Sequence, residues 1–155
     1  MSYLRRILQP GETLRYAGRL HWVVYFPGLV LFAVAAATYL AFAAASGFGV
    51  ATPYLLMLLD LVMVVSLLSL LIAALRRWTT EIAVTDHRVI FKRGLIRRHT
   101  IEMNMDKVES VDVDQSLGGR ILGYGDIIVR GTGSSIEPFR RIAAPLEFRN
   151  QVTAR

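Results

Sequence analysis

The stretch Ser116–Gly133, SLGGRILGYGDIIVRGTG, is where chemistry is first to be sought, because six of its eighteen residues are glycine. Glycine-rich loops bring backbone N–H groups close to a phosphate, so the run invites a nucleotide reading. A Walker A loop requires G-x-x-x-x-G-K-[ST]. Gly118 and Gly123 have that spacing, but Tyr124 and Gly125 stand where the lysine and the hydroxyl must be. A dinucleotide fingerprint requires G-x-G-x-x-G. Gly123 and Gly125 begin one, but Ile128 occupies the third glycine position. The run is also expected to lead into a strand and not a helix, which leaves no helix N-terminus to receive a pyrophosphate. Turns are the better reading. Gly119, Gly123 and Gly125 are expected as turn residues, with Gly123 and Gly125 at positive φ around Tyr124, just ahead of a strand at Asp126–Arg130.

The remaining reactive residue types are equally unpromising as catalysts. Asp112 and Asp114 fall on one face of an expected strand, about 7 Å apart. Paired carboxylates can exchange protons, yet a solvated strand face explains both. His21, His87 and His99 are scattered without metal-ligand spacing. There is no G-x-S-x-G elbow. There is no cysteine, so thiolate nucleophiles, thiolate metal sites and disulfides are excluded. No enzyme activity, cofactor or metal is expected.

The basic residues say more. Arg76-Arg77, Arg97-Arg98 and Arg140-Arg141 form three pairs in the second half of the chain, where residues 76–155 carry fourteen Lys and Arg against ten Asp and Glu. Each such charge near an anionic leaflet is worth about 1 kcal/mol. The same pairs suit a protein partner, since arginine is over-represented where binding energy concentrates. A protein partner is the favoured expectation, because an anchored chain has little need of further lipid affinity. Solvated charge without a role is the third reading. No aromatics are interleaved with the arginines, so nucleic acid is not an expected partner.

The elements that must position these residues divide the chain in two. Trp22–Ser46 holds twenty-five residues without a charge, and Thr52–Leu75 holds twenty-four with one, Asp60. A hydrocarbon core about 30 Å thick takes roughly 20 helical residues, so each segment can cross it. The short Gly47–Val50 break makes them a transmembrane hairpin. Asp60 costs roughly 2.5–3.5 kcal/mol at a bilayer centre, against roughly 4–8 kcal/mol returned by the Leu, Val and Ile of the same span. It is either an intramembrane polar contact, with Thr38 or a partner helix, or a residue tolerated near the interface. Ala33, Ala37, Ala41 and Ala45 recur every fourth position and line one helix face, expected to pack on the second span ahead of dimerisation. Arg5, Arg6, Arg15 and Arg19 precede the first span, Arg76 and Arg77 follow the second, and the connection has no Lys or Arg. That bias puts both termini in the cytoplasm, with Trp22, Tyr25 and Trp78 as interfacial anchors.

The second half reads as β-rich. Strands are expected at Glu81–Thr85, Arg88–Arg93, Ile96–Met105, Val108–Gln115, Asp126–Arg130 and Ile136–Ile142, with turns at Asp86 and Gly94. Pro145–Val152 is expected as a closing helix, with Phe148 and Val152 on one face.

In this order the motifs resemble the bacterial pleckstrin-homology-like membrane family, also called the membrane-flanked domain family. The resemblance rests on Pro10-Gly11-Glu12, two spans, Thr85-Asp86-His87-Arg88, the turn Lys92–Ile96, Asp106-Lys107-Val108, and the run Gln115-Ser116, Gly119-Arg120, Gly123-Tyr124-Gly125-Asp126. It implies a pleckstrin-homology-like split barrel with a C-terminal helix, and no enzyme activity. Phosphoinositide recognition like that of eukaryotic relatives is not expected. Those proteins use a long basic loop between the first two strands, where this chain has Asp86-His87. The expected organisation is a cytoplasmic N-terminal segment (1–21), a transmembrane hairpin (22–75) and a cytoplasmic pleckstrin-homology-like domain (78–155). The expected role is a non-enzymatic, membrane-anchored interaction or scaffold module at the inner face of a bacterial membrane, meeting the bilayer and a membrane protein or a second copy of itself. An accessory subunit of a transporter or resistance system, and an anionic-lipid-binding surface module, are the alternatives.

Overall fold

The computed structural model describes residues 8–45, 52–94, 99–132, 134–135 and 138–154. The expected Gly47–Val50 connection, Arg5, Arg6, Arg97 and Arg98 lie outside the described residues. The chain forms two compact units, one from residues 22–75 and one from residues up to His21 together with residues 76–155.

In the first unit a 3-10 turn at Trp22–Tyr25 leads into α1 (Phe26–Ala45), and α2 (Thr52–Thr79) begins the return. Both helices are long and apolar enough to cross a membrane. Gly28 and Ala35 are buried on α1, and Leu59, Ser66 and Ala73 on α2. Both sets repeat every seven residues, the spacing of a helix–helix seam. Gly28 allows the closest approach: a Cβ there would lie 2.5 Å from Ser69 Oγ and 2.9 Å from Leu70 Cδ2. Ser66 satisfies its buried hydroxyl by donating to Met63 O at 2.7 Å.

The expected alanine face is not this seam. Ala33, Ala37 and Ala41 are exposed, and at 3.6 residues per turn they lie nearly opposite Gly28 and Ala35. Spacing by four could not reveal this, because α1 is so rich in alanine that several faces satisfy it. Nor do Asp60 and Thr38 meet. Thr38 donates its hydroxyl to Val34 O within its own helix, at 2.9 Å, and Asp60 is exposed.

The second unit contains two antiparallel sheets. The first is the meander β1 (Leu14–Arg19), β2 (Glu81–Thr85), β3 (Arg88–Arg93) and β4 (His99–Asn104), in that order. In the second, β6 (Tyr124–Gly131) pairs with β5 (Val108–Asp114), with the two-residue β7 (Ser134–Ser135) and with β8 (Phe139–Ala143). Between β5 and β6 lies a short helix, α3 (Leu117–Leu122), and α4 (Pro145–Thr153) closes the chain. Inward side chains from both sheets, among them Ile82, Val84, Val89, Met103, Ile127, Val129 and Ile142, enclose one core. Phe148 and Val152 of α4 enter it, as their spacing of four predicts.

The six expected strands are therefore eight among the described residues, and α3 is added. β1 comes from the N-terminal segment, for which no strand was expected. It pairs along β2, from Leu14 opposite Thr85 to Arg19 opposite Glu81. Tyr16 packs edge-on against Phe148 with ring centroids 6.0 Å apart.

Candidate functional site

Two of the motifs that carry the family resemblance meet in space. Glu12 of the Pro-Gly-Glu turn receives two bonds from Arg88, Nε to Oε1 at 2.9 Å and Nη2 to Oε2 at 2.8 Å. It also accepts the Thr85 hydroxyl at 2.7 Å and the Gln9 N–H at 2.8 Å. Its side chain is only 3% exposed. Arg88 extends its remaining nitrogen to Glu102 at 2.7 Å. The Arg88 guanidinium above all holds the Glu12 carboxyl down at about 2. In the adjoining turn, Asp86 accepts the Thr13 N–H at 3.0 Å and pairs with His87 at 2.8 Å. The carboxylates of this cluster are committed to the chain itself. It is a latch tying the start of β1 to the β2–β3 turn.

The glycine run is also architecture, in a form that differs from expectation. Its first part is the helix α3. Ser116 Oγ accepts the Gly119 N–H at 3.1 Å as the N-cap, and Gly123 ends the helix in the left-handed conformation at φ +75. Gly125 does not have positive φ. It is glycine because a Cβ would lie 2.7 Å from Gln115 Cγ and 2.8 Å from Asp114 O. Gly119 is likewise pressed on the Tyr124 carbonyl, 2.6 Å from where its Cβ would be. Gly94 fits its expected turn at φ +100.

The basic pairs come apart. Arg76, from the last turn of α2, and Arg140, from β8, line one cleft of about 820 Å³, together with Arg93 at the end of β3 and His99 at the start of β4. Among the described residues no carboxylate pairs with Arg76, Arg93 or Arg140. The wall and floor are apolar: Leu20, Ile101, Ile142, and Phe91 stacked on Phe139 with centroids 3.8 Å apart. Arg141 does other work. It sits at φ +58, and its backbone donates to Asp126 Oδ1 at 2.8 Å and accepts from the His21 N–H at 2.8 Å. This left-handed step between Arg140 and Ile142 accompanies a register shift between β6 and β8. Arg77 lies away from the cleft lining and acts electrostatically on His21, whose imidazole is pushed down first by burial and then by that charge.

Sequence reasoning thus identified two of the cleft's arginines and missed Arg93 and His99. The signal was present in the hairpin itself, since Arg93 and His99 are directly opposite each other across β3 and β4. The histidines make no common site: His21 stacks on Tyr124 at 5.3 Å, His87 pairs with Asp86, and His99 lines the cleft.

Two packed antiparallel sheets closed at one end by a C-terminal helix define a pleckstrin-homology-like domain. The model of the family described as Bacterial PH domain matches residues 19–155, and the chain belongs to that family. Neither a curated protein nor a solved structure matches it.

Proposed function

We propose that the protein is a non-catalytic interaction module, anchored by α1 and α2 in a bacterial plasma membrane with both termini in the cytoplasm, and that the cleft between Arg76, Arg93 and Arg140 is its binding surface. The observation that carries this reading is the convergence of three arginines over an apolar floor, none of them paired with a carboxylate among the described residues. Solvated charge has no reason to gather there, and like charges held together are unfavourable until a counter-charge arrives. The cleft suits a partner segment that presents acidic groups beside apolar ones. Arginines over a desolvated apolar floor are the usual composition of such anchoring points.

Arg76 favours a second reading, an anionic lipid headgroup. It follows directly on Leu75, the last residue of the apolar span, so chain connectivity alone holds it near the headgroups.

One experiment separates the two. Full-length wild type, the Arg76→Gln/Arg93→Gln/Arg140→Gln variant and a Lys107→Gln/Arg149→Gln control are cross-linked in native membranes and purified in mild detergent. Loss of a cross-linked protein only from the cleft variant is the expected result. Loss of co-purifying anionic lipid with cross-linked proteins unchanged would transfer the cleft to the lipid reading. Equal recovery of both from all three proteins would remove the cleft as the binding surface.

A further inference from the structure

Among the described residues of the second unit, α3 carries the most exposed apolar surface. Leu117 is 78% exposed and Ile121 84%, on a helix of only six residues. The cause is the orientation of the helix. Gly119 faces inward, pressed against the Tyr124 carbonyl. At 100° per residue Leu117 and Ile121 fall on the opposite side, four residues apart, while Leu122 turns toward the side of Gly119 and is only 43% exposed. A fold that needed α3 only as a connector would put polar residues there. Contiguous exposed apolar groups mark a contact surface.

What covers them is set by the partner α3 already has. The His21 imidazole hydrogen-bonds the Leu122 backbone and stacks on Tyr124, and the His21 N–H is fixed to Arg141 O. His21 is also the residue immediately before Trp22, where the apolar helix segment begins. Consecutive Cα atoms are about 3.8 Å apart. If the span begins at Trp22, α3 is hydrogen-bonded to the last residue outside it. Arg120, exposed on the same helix, is suited to anionic headgroups. A helix with an apolar face and a basic flank, tied to the residue that precedes the span, has the make-up of an interfacial helix.

We infer that α3 is a membrane-dipping element: Leu117 and Ile121 insert into the acyl–headgroup boundary of the leaflet that α1 enters, giving the domain a third attachment besides its two spans. The inference rests on the membrane reading of α1 and α2 given above.

Because the chain has no cysteine, single cysteines can be labelled cleanly. Three full-length variants, Ile121→Cys, Val34→Cys in the middle of α1, and Glu109→Cys at the far end of β5 from α3, are labelled with an environment-sensitive nitrobenzoxadiazole probe. They are reconstituted in vesicles of phosphatidylcholine and phosphatidylglycerol with or without nitroxide-labelled lipid. The label at Ile121, seated at the shallow depth of an interfacial helix, is expected to lose more of its emission to a shallow nitroxide than to a deep one. The label at Val34 responds to the deep nitroxide, and the label at Glu109 to neither. If Val34 is quenched and Ile121 is not, the insertion is overturned while the membrane reading stands. A blue-shifted but unquenched Ile121 label would show the patch covered by this chain or a second copy of it and overturn the inference equally. If Val34 itself is unquenched, the membrane reading fails, and the inference with it.

Discussion

Glu12 and Arg88 stand seventy-six positions apart in the chain and form a buried ion pair, with side chains 3% and 14% exposed. Removing one partner of such a pair costs more than the pair contributes, because the other is left uncompensated. The two partners are not equivalent here. Arg88 retains Glu102 if Glu12 is lost, whereas Glu12 has no second cation among its bonds. Arg88→Ala is therefore expected to destabilise the domain by about 3 kcal/mol and Glu12→Gln by about 1 kcal/mol, measured by denaturant or thermal unfolding in detergent. The same pair sets an acid limit. The Glu12 carboxyl is lowered from 4.5 to about 2 on folding. Its stabilisation is complete above the unfolded value and is lost as pH falls through that window. Asp86, lowered to about 2 chiefly by its hydrogen bond with His87, falls in the same range. The melting temperature of wild type should drop between those two pH values, and Glu12→Gln should flatten the drop without abolishing it. An unchanged slope in Glu12→Gln would mean that the latch does not set the acid limit. The glycines admit a similar separation of causes. Gly123 needs its φ and has open space around it, so Gly123→Asn should be mild. Gly125 needs space, so Gly125→Ala should cost about 1–3 kcal/mol. Equal costs at the two positions would show that the reasons given for them are wrong.

At the scale of elements, the readable parts were those whose pattern has one cause. β2, β3 and α4 were legible because apolar residues at fixed spacing bury one face, and Phe148 and Val152 do so. α3 was not. Two of its six residues are glycine, each costing about 1 kcal/mol in a helix, and the same glycines suggest turns. What fixes the helix is the Ser116 cap and the contact of Gly119 with Tyr124, and the second of these exists only once β6 is in place. The cleft was half legible for a related reason. Paired arginines are conspicuous in a sequence, but adjacent residues on a strand point to opposite faces, so a pair such as Arg140-Arg141 seldom acts as one. In the hairpin of helices, alanine every fourth residue was conspicuous and misleading, while the seam uses Gly28 and Ala35. Gly28→Leu is expected to force the helices apart, since its Cβ position is already within 2.5 Å of Ser69. Ala37→Leu on the opposite face should leave the contact intact. Proteolysis of the two variants in detergent reads the difference, with Gly28→Leu cut faster than Ala37→Leu, and equal resistance would contradict the seam.

For the whole molecule the main consequence is that the sheet-bearing unit is assembled from both sides of the helix pair. Sequence periodicity suggested a domain beginning at Trp78, because Arg15 and Arg19 read as flanking charges of the first span and concealed the strand that contains them. Yet β1 supplies the edge of the first sheet, Tyr16 packs against Phe148, and Arg15 donates to Ala154 O at 2.9 Å across 139 residues. Pairing of such distant segments carries a closure cost that grows only slowly with the length between them, so an inserted helix pair is no obstacle to it. A fragment of residues 76–155 lacks that strand and leaves both β2 and the core beneath Tyr16 uncovered. It is expected to melt without a cooperative transition and to associate through the bare edge. The same fragment preceded by residues 8–21 on a flexible Gly/Ser linker should melt cooperatively, and Glu12→Gln in the linked version should lower its midpoint. A cooperative, monomeric melt of the 76–155 fragment alone would show that β1 is an accessory to this fold and not one of its parts.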